Sequence, residues 1–118
     1  MSDHISFGTA GEALAARHLE HLGMRLLSRN WRCALGELDI IATDGRELVI
    51  CEVKTRRSTT HGTPAESVTP AKADRIRALA TRWRHDHGIP PCPTRFDIIA
   101  ILWPTGTPPV VHHLTGAF

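Results

Sequence analysis

Residues 37–55 constrain the fold more than any other part of the chain. Two apolar runs, 37–43 and 47–55, rich in Ile, Leu and Val, flank Asp44-Gly45, the strongest short hairpin signal a sequence carries. A two-residue turn there pairs Thr43 with Arg46 and, counting outward, Asp39 with Ile50 and Glu37 with Glu52. Side chains alternate along a strand, so Glu52 and Lys54 share one face, and Asp39 joins them from the neighbouring strand, diagonal to Glu52. Leu38, Ile40, Val49, Cys51 and Val53 fall on the other face, while Ile41, Leu48 and Ile50 wall the charged positions with apolar groups. A sheet this apolar needs cover on both faces, which predicts an α/β arrangement with helices on either side.

The rest of the chain supplies those helices. Residues 8–22 are rich in Ala and Leu, with Thr9 as the expected N-cap and Gly23 just past the end. Glu12 falls in the first turn, in line with Ala15, Ala16 and Leu19 at the inward edge of an apolar stripe. Residues 24–31 read as the first strand. After a polar loop at 56–62, Thr63-Pro64-Ala65-Glu66 has the form of a capping box, and Thr69-Pro70 repeats the cap-plus-proline signal for a second helix over 70–87. Lys72, Ile76, Leu79, Ala80 and Trp83 lie on one face of that helix, and Gly88 can close it. Residues 95–103 read as a buried strand and 110–114 as a short edge strand. The predicted architecture is one α/β domain over residues 1–118, a mixed sheet of about five strands flanked by helices in the order α-β-β-β-α-β plus an edge strand.

Several function classes are set aside at this point. No segment approaches the roughly 18 apolar residues of a membrane span, and the start of the chain lacks a basic region followed by an apolar one, so neither a membrane partner nor export is expected. Cys33, Cys51 and Cys92 are odd in number and widely spaced, which argues for reduced thiols in the cytoplasm rather than disulfides or a zinc ribbon. His18 and His21, three apart on a helix, and His112 and His113, on opposite faces of an edge strand, read as surface histidines. Trp31, Trp83 and Trp103 are too scattered for a stacking platform and are assigned to packing.

Burying carboxylates without a partner costs several kcal/mol each, so Asp39 and Glu52 need a cation, an ion pair or solvent. An arbitrary Glu-x-Lys pair is most often a solvated strand face, but here the strand is apolar on both faces apart from these positions. Hard cations such as Mg²⁺, or Mn²⁺ in its place, prefer such oxygen ligands and complete their shell with water and phosphate oxygens. Glu37, paired across from Glu52, adds a repulsion that a cation would relieve. Basic residues gather in the same half of the chain: from Lys54 to Arg95 there are nine Lys and Arg against Glu66, Asp74 and Asp86. Arg56 and Arg57, leaving the third strand into a hydroxyl-rich loop, are candidates for backbone phosphates, and Lys72 leads the inward helix face toward the site.

The ordered motifs Gly8-x-x-Gly11-Glu12, Arg29-Asn30-Trp31-Arg32, Gly36-Glu37-Leu38-Asp39-Ile40-Ile41, Glu52-Val53-Lys54-Thr55-Arg56, Val68-Thr69-Pro70-x-Lys72 and Arg95-Phe96-Asp97 span almost the whole chain. Taken together they resemble the YraN-like proteins, a proposed endonuclease family that looks like part of the PD-(D/E)xK nuclease superfamily and is similar to archaeal-type Holliday junction resolvases. The resemblance implies a restriction-endonuclease-like fold. It also implies that Asp39, Glu52 and the backbone carbonyl of Val53 ligate Mg²⁺ and that Lys54 orients or deprotonates the attacking water. Glu12 takes the place of the resolvases' helical acid, completing the metal site or lying just outside it; charge complementarity at a helix N-terminus is its alternative reading. Leu38 departs from the proline of the superfamily's name, and Cys51 before Glu52 points into the core. The expected function is Mg²⁺-dependent cleavage of DNA, including branched or damaged DNA, with a non-catalytic nucleic-acid-binding module as the alternative. Paired nicks at a junction would call for a homodimer.

Overall fold

The structure is a computed structural model that describes residues 6–60 and 62–118. Residues 1–5, on which the reading of the chain's start rests, and His61 lie outside the described residues. The order is α1 (Phe7–His21), β1 (Arg25–Cys33), β2 (Gly36–Thr43), β3 (Leu48–Arg56), a short 3₁₀ turn (Pro64–Ser67), α2 (Pro70–Asp86), β4 (Thr94–Leu102) and β5 (Val110–Leu114). One five-stranded sheet runs β1-β2-β3-β4-β5. β1, β2 and β3 are antiparallel, β3 pairs with β4 in parallel, and β5 closes the edge antiparallel to β4. The mixed α/β sheet with a helix on each face is as expected, because β2 and β3 carry apolar side chains on both sides and only two-sided cover removes them from water.

Ala15, Ala16 and Leu19 of α1 pack on Ile40, Ala42, Val49, Cys51, Ile99 and Ile101. Ile76, Leu79, Ala80 and Trp83 of α2 pack on Ile41, Leu48 and Ile50 from the other side. Trp83 is buried and its indole N–H donates to the Ser28 hydroxyl at 2.9 Å, which joins α2 to β1. Gly11 is required by close approach: a Cβ there would lie 1.9 Å from Thr55 Oγ1, so only glycine lets the start of α1 run against the end of β3.

Four local expectations are corrected. The hairpin loop has four residues rather than two, with Thr43 facing Leu48 and Ile40 facing Cys51. Asp44 Oδ1 accepts the amides of Arg46 (2.8 Å) and Glu47 (3.0 Å), and Thr43 Oγ1 bonds Gly45 N and Glu47 O, so side chains satisfy a wider turn with Gly45 at φ +93. The shift is even, so the paired residues 40–43 and 48–51 keep their faces, and Asp39, rather than Glu37, comes level with Glu52. Second, Ser6 rather than Thr9 caps α1, accepting from Thr9 N at 3.1 Å; Glu12 therefore lies in the second turn, beyond the strong field of the helix N-terminus. Third, the Thr63 side chain donates to Glu66 instead of capping an amide, and Pro64–Ser67 stays a 3₁₀ turn. Fourth, Leu38 packs with Trp31 in the α2 cluster, not with Ile40. Opposite Asp39, Asn30 sits in β1 with φ +50, a kink that Asn tolerates and that turns the strand pair at this point.

Candidate active site

The interrupted end of the β2–β3 ladder forms the site. Leu48 N donates to Pro93 O at 2.9 Å and Trp103 N donates to Arg56 O at 2.7 Å, so the even-numbered residues of β3 turn their backbone groups toward β4. Val53, odd-numbered, turns its N–H and its carbonyl toward β2. The β2–β3 pairing has already ended at Ile40 and Cys51, so no backbone acceptor meets Val53 there. Its N–H donates to Asp39 Oδ2 at 2.8 Å, and its carbonyl is left on the same side of the strand. Three oxygen sources, Asp39, Glu52 and the Val53 carbonyl, are thus offered at one break in the sheet.

Gly36, Glu37, Asp39 and Glu52 of the sheet line a cleft of about 260 Å³ with Lys72, Arg75, Ile76 and Leu79 of the facing helix. Asp39 is pushed up to about 7, first by burial and then by the Glu52 charge, with Glu12 and Glu37 adding to the repulsion and the Val53 N–H opposing it. Glu12 does not line this cleft: α1 carries it on the opposite side of the sheet, and only its charge reaches Asp39. Lys72 Nζ lies 2.7 Å from Glu52 Oε1, with Lys72 33% and Glu52 14% exposed at the side chain. The Thr69 cap, whose hydroxyl accepts from Lys72 N at 3.2 Å, fixes the turn that carries this lysine. Among the described residues no three His, Cys, Asp or Glu side chains converge as a ready metal cluster. A hard cation at this site would rely on two carboxylates, the Val53 carbonyl, water and substrate oxygens, a donor set that suits Mg²⁺.

The other sequence-predicted residues lie around this cleft rather than in it. Lys54 is exposed and lines a neighbouring cavity, one two-residue step along β3 from Glu52. Arg56 reaches into the following loop, donating to Gly62 O. Arg57 turns away, donating to Trp103 O at 3.1 Å with its guanidinium 3.9 Å from the centre of the Phe7 ring, so the two arginines do not form one patch.

One group of interacting residues escaped the sequence reading. Asp97 is fully buried under α1's side of the sheet and accepts from Arg95 Nε (2.9 Å), Gly116 N (2.9 Å) and His113 Nε2 (2.7 Å). Burial opposes its charge, but these donors outweigh burial and hold the carboxyl below its usual range. His113 Nδ1 meets His18 Nε2 at 2.9 Å, and His18 is lowered by burial and by its histidine neighbours. The expectation of a surface histidine is therefore wrong for His113, whose side chain is 9% exposed. An acid two residues after Arg95 on a buried strand was the available signal, but its histidine partner lies 16 residues away and only the sheet brings it close.

A family profile described as "Uncharacterised protein family UPF0102" matches residues 11–101. The chain belongs to the UPF0102 family. A UPF0102 protein of Acidothermus cellulolyticus is 49% identical, covering 96% of this chain and 93% of the relative. A UPF0102 protein of Streptomyces coelicolor is 50% identical over 98% of this chain and 91% of its own length. A UPF0102 protein of Rhodococcus jostii is 46% identical across the full length of both. The YraN-like resemblance read from the motifs corresponds to this UPF0102 membership.

Proposed function

We propose that this UPF0102 chain is a Mg²⁺-dependent endonuclease that hydrolyses DNA phosphodiesters, within the PD-(D/E)xK superfamily. The observation that carries the reading is the pairing of Asp39 and Glu52 at a break in an apolar sheet, where burial first and then the Glu52 charge push Asp39 up to about 7. Lys72 already offsets Glu52, but among the described residues no cationic side chain pairs with Asp39, and a bound cation would relieve that half-buried carboxylate. The α/β sheet with a helix on each face is consistent with the restriction-endonuclease-like fold.

Asp39, Glu52 and the Val53 carbonyl are the oxygen ligands in this reading. A bound Mg²⁺, or Mn²⁺, supplies a water of lowered pKa and offsets charge on the pentacovalent phosphate. Lys54, on the same face as Glu52, orients the attacking water and helps take its proton. Lys72 holds the Glu52 carboxylate in place through its ion pair. Glu12 adds negative charge beside the ligands. Arg56 and Arg75 border the site and suit backbone phosphates, whereas Arg57, held by Trp103 and Phe7, turns away from it. Cys33, Cys51 and Cys92 are free thiols, as suits a protein working in the reducing cytoplasm. Paired nicks on branched DNA would need a homodimer.

Two substitutions separate metal binding from chemistry. Glu52→Gln keeps shape but removes the charge, so Mg²⁺ affinity and cleavage fall together. Lys54→Ala keeps both carboxylates, so Mg²⁺ still binds while the cleavage rate drops about 10²-fold or more. Calorimetry with Mg²⁺ and cleavage of a panel of duplex, branched and damaged DNA measure both. Wild-type rates in both variants would refute the site.

A further inference from the structure

The uncovered part of the α2 face holds a second cavity, beside the carboxylate cleft and sharing only Lys54 and Arg56 with the chemistry above. It encloses about 360 Å³ between the β3-β4-β5 surface and the segment that follows β3. Its floor is Ala100, Leu102 and Leu114, its rim is Pro64 and Ala65, and Lys54 and Arg56 stand along its β3 side. Lys54, Ala100 and His112 are ladder partners, so they form one row across three adjacent strands at spacings of about 4.8 Å. Glu52 lies one two-residue step from Lys54 on the same face, about 7 Å along the strand.

We propose that this cavity takes an unpaired nucleobase from the nucleotide next to the scissile phosphate. The proposal rests on the nuclease reading and specifies its substrate class: DNA with an unstacked nucleotide at the cleavage position. A phosphate held at Asp39 and Glu52 leaves the adjoining nucleotide about one step away, at Lys54, where the cavity opens. A flat ring with an apolar face fits a floor of Ala and Leu. The Thr59 hydroxyl, and the Thr63 oxygen as an acceptor while its proton goes to Glu66, supply partners for the polar edge of a base. The two cations at the side suit the anionic backbone that a base must bring with it, and they disfavour an uncharged apolar occupant. A base stacked in a uniform duplex cannot enter. Extruding one is least costly where it is mismatched, bulged or single-stranded, so the cavity selects such substrates.

The test uses fluorescence anisotropy with Ca²⁺ in place of Mg²⁺, so that strands stay intact. Three probes of equal length are compared: a paired duplex, a duplex with a one-nucleotide bulge, and the same bulge lacking its base. The wild-type chain should bind the bulge about tenfold tighter than the duplex, and the abasic bulge should lose that gain. Ala65→Trp, which fills the cavity from an exposed rim position, should lower bulge affinity to the level of the duplex. Its melting temperature, compared with that of wild type, checks folding, and Ala65→Leu provides a smaller filling of the same space. Equal affinity for base-bearing and abasic bulges overturns the proposal, as does a bulge preference that survives both fillings in folded protein. A wild-type homodimer that Ala65→Trp dissociates, seen by sedimentation, would instead assign the cavity to a second copy and also overturn it. Cleavage of the same probes in Mg²⁺ is scored separately, so a base-dependent binder that cuts nothing refutes the nuclease reading and not the cavity.

Discussion

Asp39→Asn is the most informative single change. In the folded chain the Asp39 carboxyl titrates at about 7, raised from 3.8, because burial and the Glu52 charge disfavour the ionised form. The folded state therefore holds a proton that the unfolded chain has already released between about pH 4 and pH 7. Stability attributable to this group is present at low pH and is lost as pH rises through that window. Moving the carboxyl from 3.8 to about 7 corresponds to at most about 4 kcal/mol, at roughly 1.4 kcal/mol per pH unit. The carboxamide of the variant keeps an oxygen to accept the Val53 N–H and carries no charge, so it escapes the loss. His18 is lowered and Asp97 is lowered, and both titrate in wild type and variant alike, so the difference between the two proteins isolates Asp39. Urea unfolding at intervals from pH 5 to pH 8 should show Asp39→Asn gaining on wild type as pH rises, then levelling above about pH 7. With Mg²⁺ at about a hundred times its dissociation constant, wild type should recover about 2.7 kcal/mol at pH 8 and the variant should not. A pH-independent difference, or a variant less stable than wild type at pH 8, would refute the argument from burial and repulsion.

Other expectations follow from individual contacts. Lys72→Met removes the 2.7 Å partner of Glu52, so the carboxylates repel more and the Asp39 titration, followed by carbon NMR of the side chain, should move further up. Gly11→Ala drives a Cβ into Thr55 and should cost about 1–3 kcal/mol in thermal or urea unfolding, with partial recovery in combination with Thr55→Ala. Asp97→Asn leaves Arg95 without its buried carboxylate and should destabilise by about 3 kcal/mol at pH 7, with a difference that shrinks as pH falls below about 4, where the unfolded chain takes up the proton that folded Asp97 resists. Glu52→Gln and Lys54→Ala should separate as stated, with DNA binding retained in both because most of its energy comes from dispersed Arg and Lys.

Much of the fold was legible because its signals are local. The apolar runs around Asp44-Gly45, the Thr69-Pro70 cap and the helical spacing of Ile76, Leu79, Ala80 and Trp83 each specify an element within a few residues. The shared face of Asp39 and Glu52 was legible for the same reason, since strand alternation has period two and the wider turn shifted the register by an even number. Where the ladder breaks was not legible. That depends on the left-handed Asn30 in β1, on the Asp39 carboxylate capturing the Val53 N–H, and on α1 pressing against Thr55 through Gly11, three contacts from three elements. The partner of Glu52 was equally out of reach: helical periodicity placed Lys72 toward the sheet, but only the packing of α2 set its amine against that carboxylate while Lys54 turned to the next cavity. By itself the sequence determined which residues are charged, which face each occupies and that the surroundings are apolar. The tertiary structure alone decided which charges meet, because a pairwise Coulomb energy depends on distance and burial, and both are set by elements far apart along the chain.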